Sequence, residues 1–252
     1  MAPAVSYEVQ LFDVMNYSIS IQRSRQGGKA AWKSYALEAA EEMTVLDALF
    51  AIRQQQDATL AFRCSCRVGM CGTCAIRING VARLACKTRL SALKSSQVTL
   101  TALPHFPVVR DLAVALDPFF EQWRRIRPRF RPKNPEAREL ARIPAGSDYS
   151  RLTPGKRDCI TCGACFAACS IPGMNKRYLG PAAINKALLR ILDPRDAARQ
   201  QRLDAVNDLH AGVWRCHTQF NCGAVCPKGI NLTHSITLLK RGVVRNQAES
   251  SA

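Results

Sequence analysis

Four cysteines crowd one short stretch of this chain, Cys159-Ile-Thr-Cys162-Gly-Ala-Cys165-Phe-Ala-Ala-Cys169. A C-x2-C-x2-C-x3-C run leaves the backbone few choices. Three thiolates at that spacing turn around one corner of a cubic iron–sulfur cluster, and the fourth points away to a second cluster. A later run, Cys216, Cys222 and Cys226, nearly repeats the pattern, with Gln219 standing where the repeat would carry a cysteine. Exchanging the last cysteine of each run gives two sets. Cys159, Cys162, Cys165 and Cys226 complete a four-ligand set for 4Fe–4S, and Cys169, Cys216 and Cys222 make a three-ligand set. A cubane short of one protein ligand tends to lose that iron, so the second centre is expected to be 3Fe–4S.

A third set lies upstream, as Cys66-x4-Cys71-x2-Cys74 followed by Cys86. This is the plant-type spacing for 2Fe–2S. Gly69 and Gly72 let that loop curl so that backbone N–H groups can face the sulfurs. The three sets use eleven of the twelve cysteines and leave Cys64, which reads as a small, partly buried thiol or as an alternate ligand. Structural zinc is the rival reading. Zinc takes four ligands, often from C-x2–4-C pairs; eleven cysteines do not divide into fours, and the first run is more crowded than a zinc site needs. Cysteines at metal-ligand spacings argue for a reducing compartment rather than a disulfide framework.

The formal net charge of +17 raises nucleic-acid binding as a first thought. Cluster thiolates subtract from that charge. Its densest part is the stretch Arg124, Arg125, Arg127, Arg129, Arg131 and Lys133. It reads as a solvated basic surface or a contact for an acidic partner or anionic headgroups, with no nucleic acid. No stretch reaches the ~18 apolar residues of a membrane span. The N-terminus shows no secretory signal, and a mitochondrial transit segment fits poorly, because Glu8 and Asp13 precede any Arg or Lys.

Periodicity changes character along the chain. Tyr17, Ile19 and Ile21 alternate with polar neighbours as a half-buried strand does, and a Gly27-Gly28 turn leads to a second strand around Lys33–Leu37. Thr44 and Asp47 form a capping-box start before Val45, Leu46, Leu49 and Ile52. Ile76 and Ile78 alternate ahead of an Asn79-Gly80 hairpin turn, and Val98 and Leu100 alternate again. From about Asp111 the period becomes helical, with Phe119, Trp123 and Ile126 on one face. Residues 127–156 are rich in Pro and Arg and read as an irregular connection. Pro181 opens a helix striped by Ile184, Leu188, Ile191 and Leu192, and Leu232, Ile236, Leu239 and Val243 stripe the last one.

The three sets in this order resemble the iron–sulfur subunit of succinate dehydrogenase and fumarate reductase. The resemblance runs from about Tyr17 to about Ile236 and extends beyond the cysteines. It includes Ser65-Cys66-Arg67, Gly72-Thr73-Cys74, Leu84-Ala85-Cys86-Lys87-Thr88 and Leu103-Pro104-His105-Phe106-Pro107. Downstream come Tyr178-Leu179-Gly180-Pro181-Ala182, Trp214-Arg215-Cys216-His217-Thr218 and Cys226-Pro227-Lys228-Gly229. The expected fold is α+β. A β-grasp plant-type 2Fe–2S ferredoxin domain takes residues 1–110, with 1–15 as an extension of no assigned role. An all-helical bacterial-ferredoxin-like domain holding two clusters takes 111–252.

The resemblance implies an electron-transfer subunit of an oxidoreductase, without a substrate site of its own. Its partners would be a FAD-containing flavoprotein subunit and a membrane anchor subunit with quinone, and its place the cytoplasmic face of the inner membrane, peripherally. Electrons would enter at 2Fe–2S, pass to 4Fe–4S and 3Fe–4S, and leave to quinone; fumarate reduction would run in reverse. His217 lies beside the quinone in the family, and Met174 follows the ligand Cys169 closely. Ser170 stands where a proline usually follows the cysteine, and a usual tryptophan pair is absent around Gly173-Met174. That segment looks like the fumarate reductase side, whereas Arg215-Cys216-His217-Thr218 looks like the dehydrogenase side, which leaves direction and quinone type open. A second reading keeps the wire but serves a flavoprotein with another dicarboxylate or acyl substrate, or a non-quinone acceptor.

Overall fold

A computed structural model describes residues 14–24, 28–138 and 142–250. Gly27 and most of the N-terminal extension lie outside the described residues. Strands β1 (Val14–Arg23) and β2 (Ala31–Ala40) pair antiparallel, with Tyr17 opposite Leu37 and Ile19 opposite Tyr35. Both are longer than the alternation suggested. Val14 pairs with Ala40 and Met15 with Ala39, but Val14, Met15 and Trp32 are exposed and the buried Ala39 is small, so no large inward residue marks these strand ends in the sequence.

Helix α1 (Val45–Gln55) starts at the expected capping box. Thr44 Oγ1 accepts from the Asp47 N–H at 3.2 Å, and Asp47 Oδ2 accepts from the Thr44 N–H at 3.1 Å. β3 (Ala75–Ile78) and β4 (Val81–Leu84) close a two-residue hairpin, in which Asn79 and Gly80 both take positive φ, 46° and 81°. β5 (Gln97–Thr101) then runs parallel to β1 and antiparallel to β3, giving the order β2-β1-β5-β3-β4. Ile19, Ile21, Ile78 and Leu100 from the sheet bury against Val45, Leu46, Leu49 and Ile52 of α1. A mixed sheet grasping one helix is the expected β-grasp.

The helical period begins later than Asp111. A small hairpin, β6 (Val108–Arg110) and β7 (Ala113–Val114), precedes α2 (Asp117–Arg125). Asp111 itself is buried and faces the sheet. It accepts from the backbone N–H groups of Ser24 at 3.2 Å and Ala61 at 2.9 Å and pairs with Arg23 Nε at 2.9 Å.

Although the short α3 (Asp148–Leu152) interrupts the connection expected to be irregular, the basic stretch from Arg127 to Lys133 lies outside the helices and strands, as expected. It is fixed by a residue that the sequence reading passed over. Arg202, fully buried, pairs with buried Asp196 and donates to the carbonyls of Arg127 at 3.0 Å and Arg129 at 2.8 Å. A buried guanidinium needs such partners, so the backbone of the stretch wraps the helical half as a coat.

That half contains α4 (Ala164–Ala168), α5 (Ile171–Met174), α6 (Pro181–Ile191), α7 (Arg199–Asn207), α8 (Asn221–Ala224) and α9 (Leu232–Ser250). Pro181 is the first residue of α6, which is buried on most sides rather than along one stripe. Asn185 is tolerated at its centre because it donates to Lys156 O at 3.0 Å and accepts from the Ser235 hydroxyl at 2.8 Å. Leu232, Ile236, Leu239 and Val243 of α9 are buried as their spacing predicts. The halves share a core where Phe166 of α4 meets Phe106 and Phe119, with ring centroids 5.2 and 5.9 Å apart.

Candidate iron–sulfur sites

The β3–β4 register sets two of the upstream thiols. Ala75 lies opposite Leu84, so Cys74, just before one strand, and Cys86, just after the other, meet at the open end of the hairpin. The Ala85 N–H donates to Cys74 O at 3.1 Å and fixes that end. Cys66 and Cys71 come from the loop. The N–H groups of Met70 and Cys71 reach Cys66 Sγ at 3.2 and 3.3 Å, the turn of backbone toward sulfur that the glycines were expected to permit. The Thr73 hydroxyl and neighbouring backbone N–H groups hold the Cys71 thiol down at about 6, while burial pushes Cys74 up to about 12. Cys64 packs half-buried against the apolar core.

The other seven thiols line two cavities. One is lined by Cys159, Cys162, Cys165 and Cys226 with apolar Ile160, Ala182, Ile230 and Leu232. The other is lined by Cys169, Cys216 and Cys222, with Gln219, His217, Tyr178 and Thr233 also on its wall. Each cysteine run therefore contributes to both cavities. Cys165 sits within α4 and Cys169 just past its end; Cys222 sits within α8 and Cys226 two residues past its end.

Cysteines this buried are poor thiolates on their own. Burial raises Cys162 and Cys169 to about 11 and Cys165 well above its ordinary value. A metal centre supplies the positive charge that deprotonates such ligands, so the donor sets fit iron–sulfur clusters. Among the described residues no three His, Cys, Asp or Glu groups close on a single ion; the thiols are spread around volumes instead.

The upstream loop abuts the four-cysteine cavity. A Cβ at Gly72 would stand 2.6 Å from Cys162 Cβ, and Gly72 also has φ +73°, so glycine is required there twice over. The sites thus follow in a row: the loop set, the four-cysteine cavity, then the three-cysteine cavity.

His217 is exposed on the rim of the last cavity. Met174, 73% exposed at the end of α5, is outside the residues that line it. Several contacts at this end carry no signal in the sequence. The Ser170 hydroxyl donates to Gln219 Oε1 at 2.9 Å, and Lys240 Nζ to Cys216 O at 3.1 Å. His105, from the sheet half, packs against Gly173, where a Cβ would lie 2.7 Å from its imidazole. Burial, and then the sulfurs of Cys216, Cys169 and Cys222, raise the Tyr178 phenol well above its ordinary range, so it stays protonated. Tyr178 was legible only as part of a motif.

A β-grasp domain with a four-cysteine loop, joined to a helical domain with seven more cysteines on two cavities, defines a multi-cluster iron–sulfur electron carrier. The profile of the 2Fe-2S iron-sulfur cluster binding domain family matches residues 18–121, and that of the 4Fe-4S dicluster domain family matches residues 156–230. The chain is 38% identical over 198 residues to the succinate dehydrogenase [ubiquinone] iron-sulfur subunit 1, mitochondrial, of Oryza sativa, covering 78% of this chain and 70% of that protein. It is 40% identical over 201 residues to the succinate dehydrogenase iron-sulfur subunit of Paracoccus denitrificans, covering 79% of this chain and 76% of that one. A chain in the structure titled Mycobacterium smegmatis Sdh1 complex in the apo form superposes with a TM-score of 0.85 at 27% identity, covering 94% of this chain and 98% of that one. The chain belongs to the succinate dehydrogenase iron–sulfur subunit family, and its role is electron transfer.

Proposed function

We propose that this chain carries electrons between a FAD flavoprotein that oxidises succinate and a quinone held by a membrane anchor, and has no substrate chemistry of its own. The sorting of seven cysteines into sets of four and three supports the reading most directly. Cys66, Cys71, Cys74 and Cys86 hold 2Fe–2S. Cys159, Cys162, Cys165 and Cys226 hold 4Fe–4S. Cys169, Cys216 and Cys222 would hold 3Fe–4S, with Gln219 on the wall of the same cavity. When bound, the clusters supply one-electron transfer. The protein's work is to set their order, ligand count and hydrogen bonds.

The sheet domain of residues 1–110 is the flavoprotein end. The helical domain, which follows the β6–β7 hairpin and starts with α2, is the quinone end, with His217 and Met174 at the exit. Its place is peripheral, at the cytoplasmic face of the inner membrane; no helix among the described residues is long and apolar enough to cross a membrane. The same wire run backwards would reduce fumarate.

The test is purification with its natural neighbours, followed by iron analysis, EPR and turnover with succinate and fumarate. The oxidised complex should show a 3Fe–4S signal. Gln219→Cys completes the cysteine frame, so that signal should vanish and iron should rise by about one per chain, the difference between the two cluster types. Two 4Fe–4S centres in the unaltered protein would refute the three-ligand assignment. Turnover with neither acid would point to a flavoprotein with another substrate.

A further inference from the structure

Tyr178 Oη is a buried polar atom with no hydrogen-bond partner in the chain. The residue is 1% exposed and lines the cavity of Cys169, Cys216 and Cys222. Buried hydroxyls are almost always paired, so an orphan signals a missing partner. Several other polar groups on or beside this wall have partners. The Thr218 N–H goes to Cys216 Sγ at 3.4 Å, Thr233 Oγ1 stands 3.8 Å from Cys222 Sγ, and Ser170 is bonded to Gln219. Tyr178 is also held firmly in place. Its N–H donates to Asn175 O at 3.1 Å, the Leu179 N–H donates to Ala211 O at 2.9 Å, and Pro181 then starts α6.

We infer that the Tyr178 hydroxyl donates a hydrogen bond to a sulfur of the cluster held by the three-cysteine set and thereby raises that cluster's reduction potential. The inference rests on the three-ligand reading above. A phenol can donate to an electron-rich sulfur, and the bond is stronger in the reduced, more negative state. Hydrogen bonds to sulfur are among the determinants of cluster potential. A high potential at the end of the row would make this centre the electron sink from which the acceptor draws.

The test is an EPR-monitored redox titration of the assembled complex, comparing Tyr178→Phe with the unaltered chain. Phenylalanine keeps the ring and removes only the donor. The expected result is a 3Fe–4S potential lowered so that the reduced-to-oxidised ratio at fixed potential falls roughly tenfold, ~59 mV for a one-electron couple. The 2Fe–2S and 4Fe–4S potentials should stay in place. If Tyr178→Phe does not load iron, 3-fluorotyrosine in place of the tyrosines supplies a second measurement. The more acidic phenol is a stronger donor, so the same potential should rise. An unchanged potential with the 3Fe–4S signal intact, as expected if a water occupies the hydroxyl, overturns the inference. So does a shift shared by all three clusters, which marks a packing effect. Absence of the 3Fe–4S signal from the unaltered complex defeats the three-ligand reading, and this inference with it.

Discussion

The sheet half takes its four thiols from a single stretch between Cys66 and Cys86, whereas the helical half assembles each of its sets from two separated runs. The scaffolds differ accordingly. The sheet half closes an apolar core of Ile19, Ile21, Val45, Leu46, Ile52 and Leu100, and Cys74 and Cys86 join its edge. In the helical half, α4, α5 and α8 have five, four and four residues. Helices that short do not persist alone. They hang on α6, on α9 and on whatever the thiols bind. One half carries its metal site as a loop on a finished fold; the other is built around its sites.

Cys165→Ser should therefore produce the largest and most lopsided effect. Cys165 is buried at the centre of the four-cysteine set, so its loss should remove the 4Fe–4S cluster and loosen the helical half. The reduced 2Fe–2S EPR signal should survive. Loss of both signals together would mean that the shared Phe106–Phe166 core makes the halves one cooperative unit, and the contrast would fail.

Arg202→Ala sharpens the contrast within the helical half. It leaves Asp196 buried without its cation and strips the carbonyls of Arg127 and Arg129 of a donor. Breaking a buried pair from one side costs about 3–5 kcal/mol. Limited proteolysis should cut first within residues 127–156, and cluster absorbance should bleach at a lower temperature. Cleavage elsewhere at an unchanged rate would count against the coat described here. Thr44→Ala makes the smallest change and acts on the sheet half. Removing a capping side chain costs about 1 kcal/mol. Thermal loss of the 2Fe–2S signal should come a few degrees earlier, with the two helical centres unmoved.

Local order decided what could be read in advance. The Thr44–Asp47 box, the Asn79-Gly80 turn and the inward Tyr17, Ile19 and Ile21 announce themselves, because each is set by neighbours within a few residues. The start of the helical half was misplaced for the opposite reason. Asp111 looks like the beginning of a helical period, yet its carboxylate is claimed by Ser24, Ala61 and Arg23 from far along the chain. Arg202 draws no notice in the sequence because its partners, Asp196 and the carbonyls of the basic stretch, carry no signal in spacing.

By itself the sequence determined the number and grouping of the cysteines, since thiolate spacing along a backbone limits which cluster corners it can reach. It also determined the two-part architecture, since periods of two and of 3.6 residues are local properties. Only the tertiary structure decided that Gly72 brings the upstream loop against Cys162, so that the three sites form a row. Only it left the Tyr178 hydroxyl unpaired on the wall of the last cavity. Both depend on segments distant in sequence packing at close range, and no local pattern encodes which atoms such packing will leave facing each other.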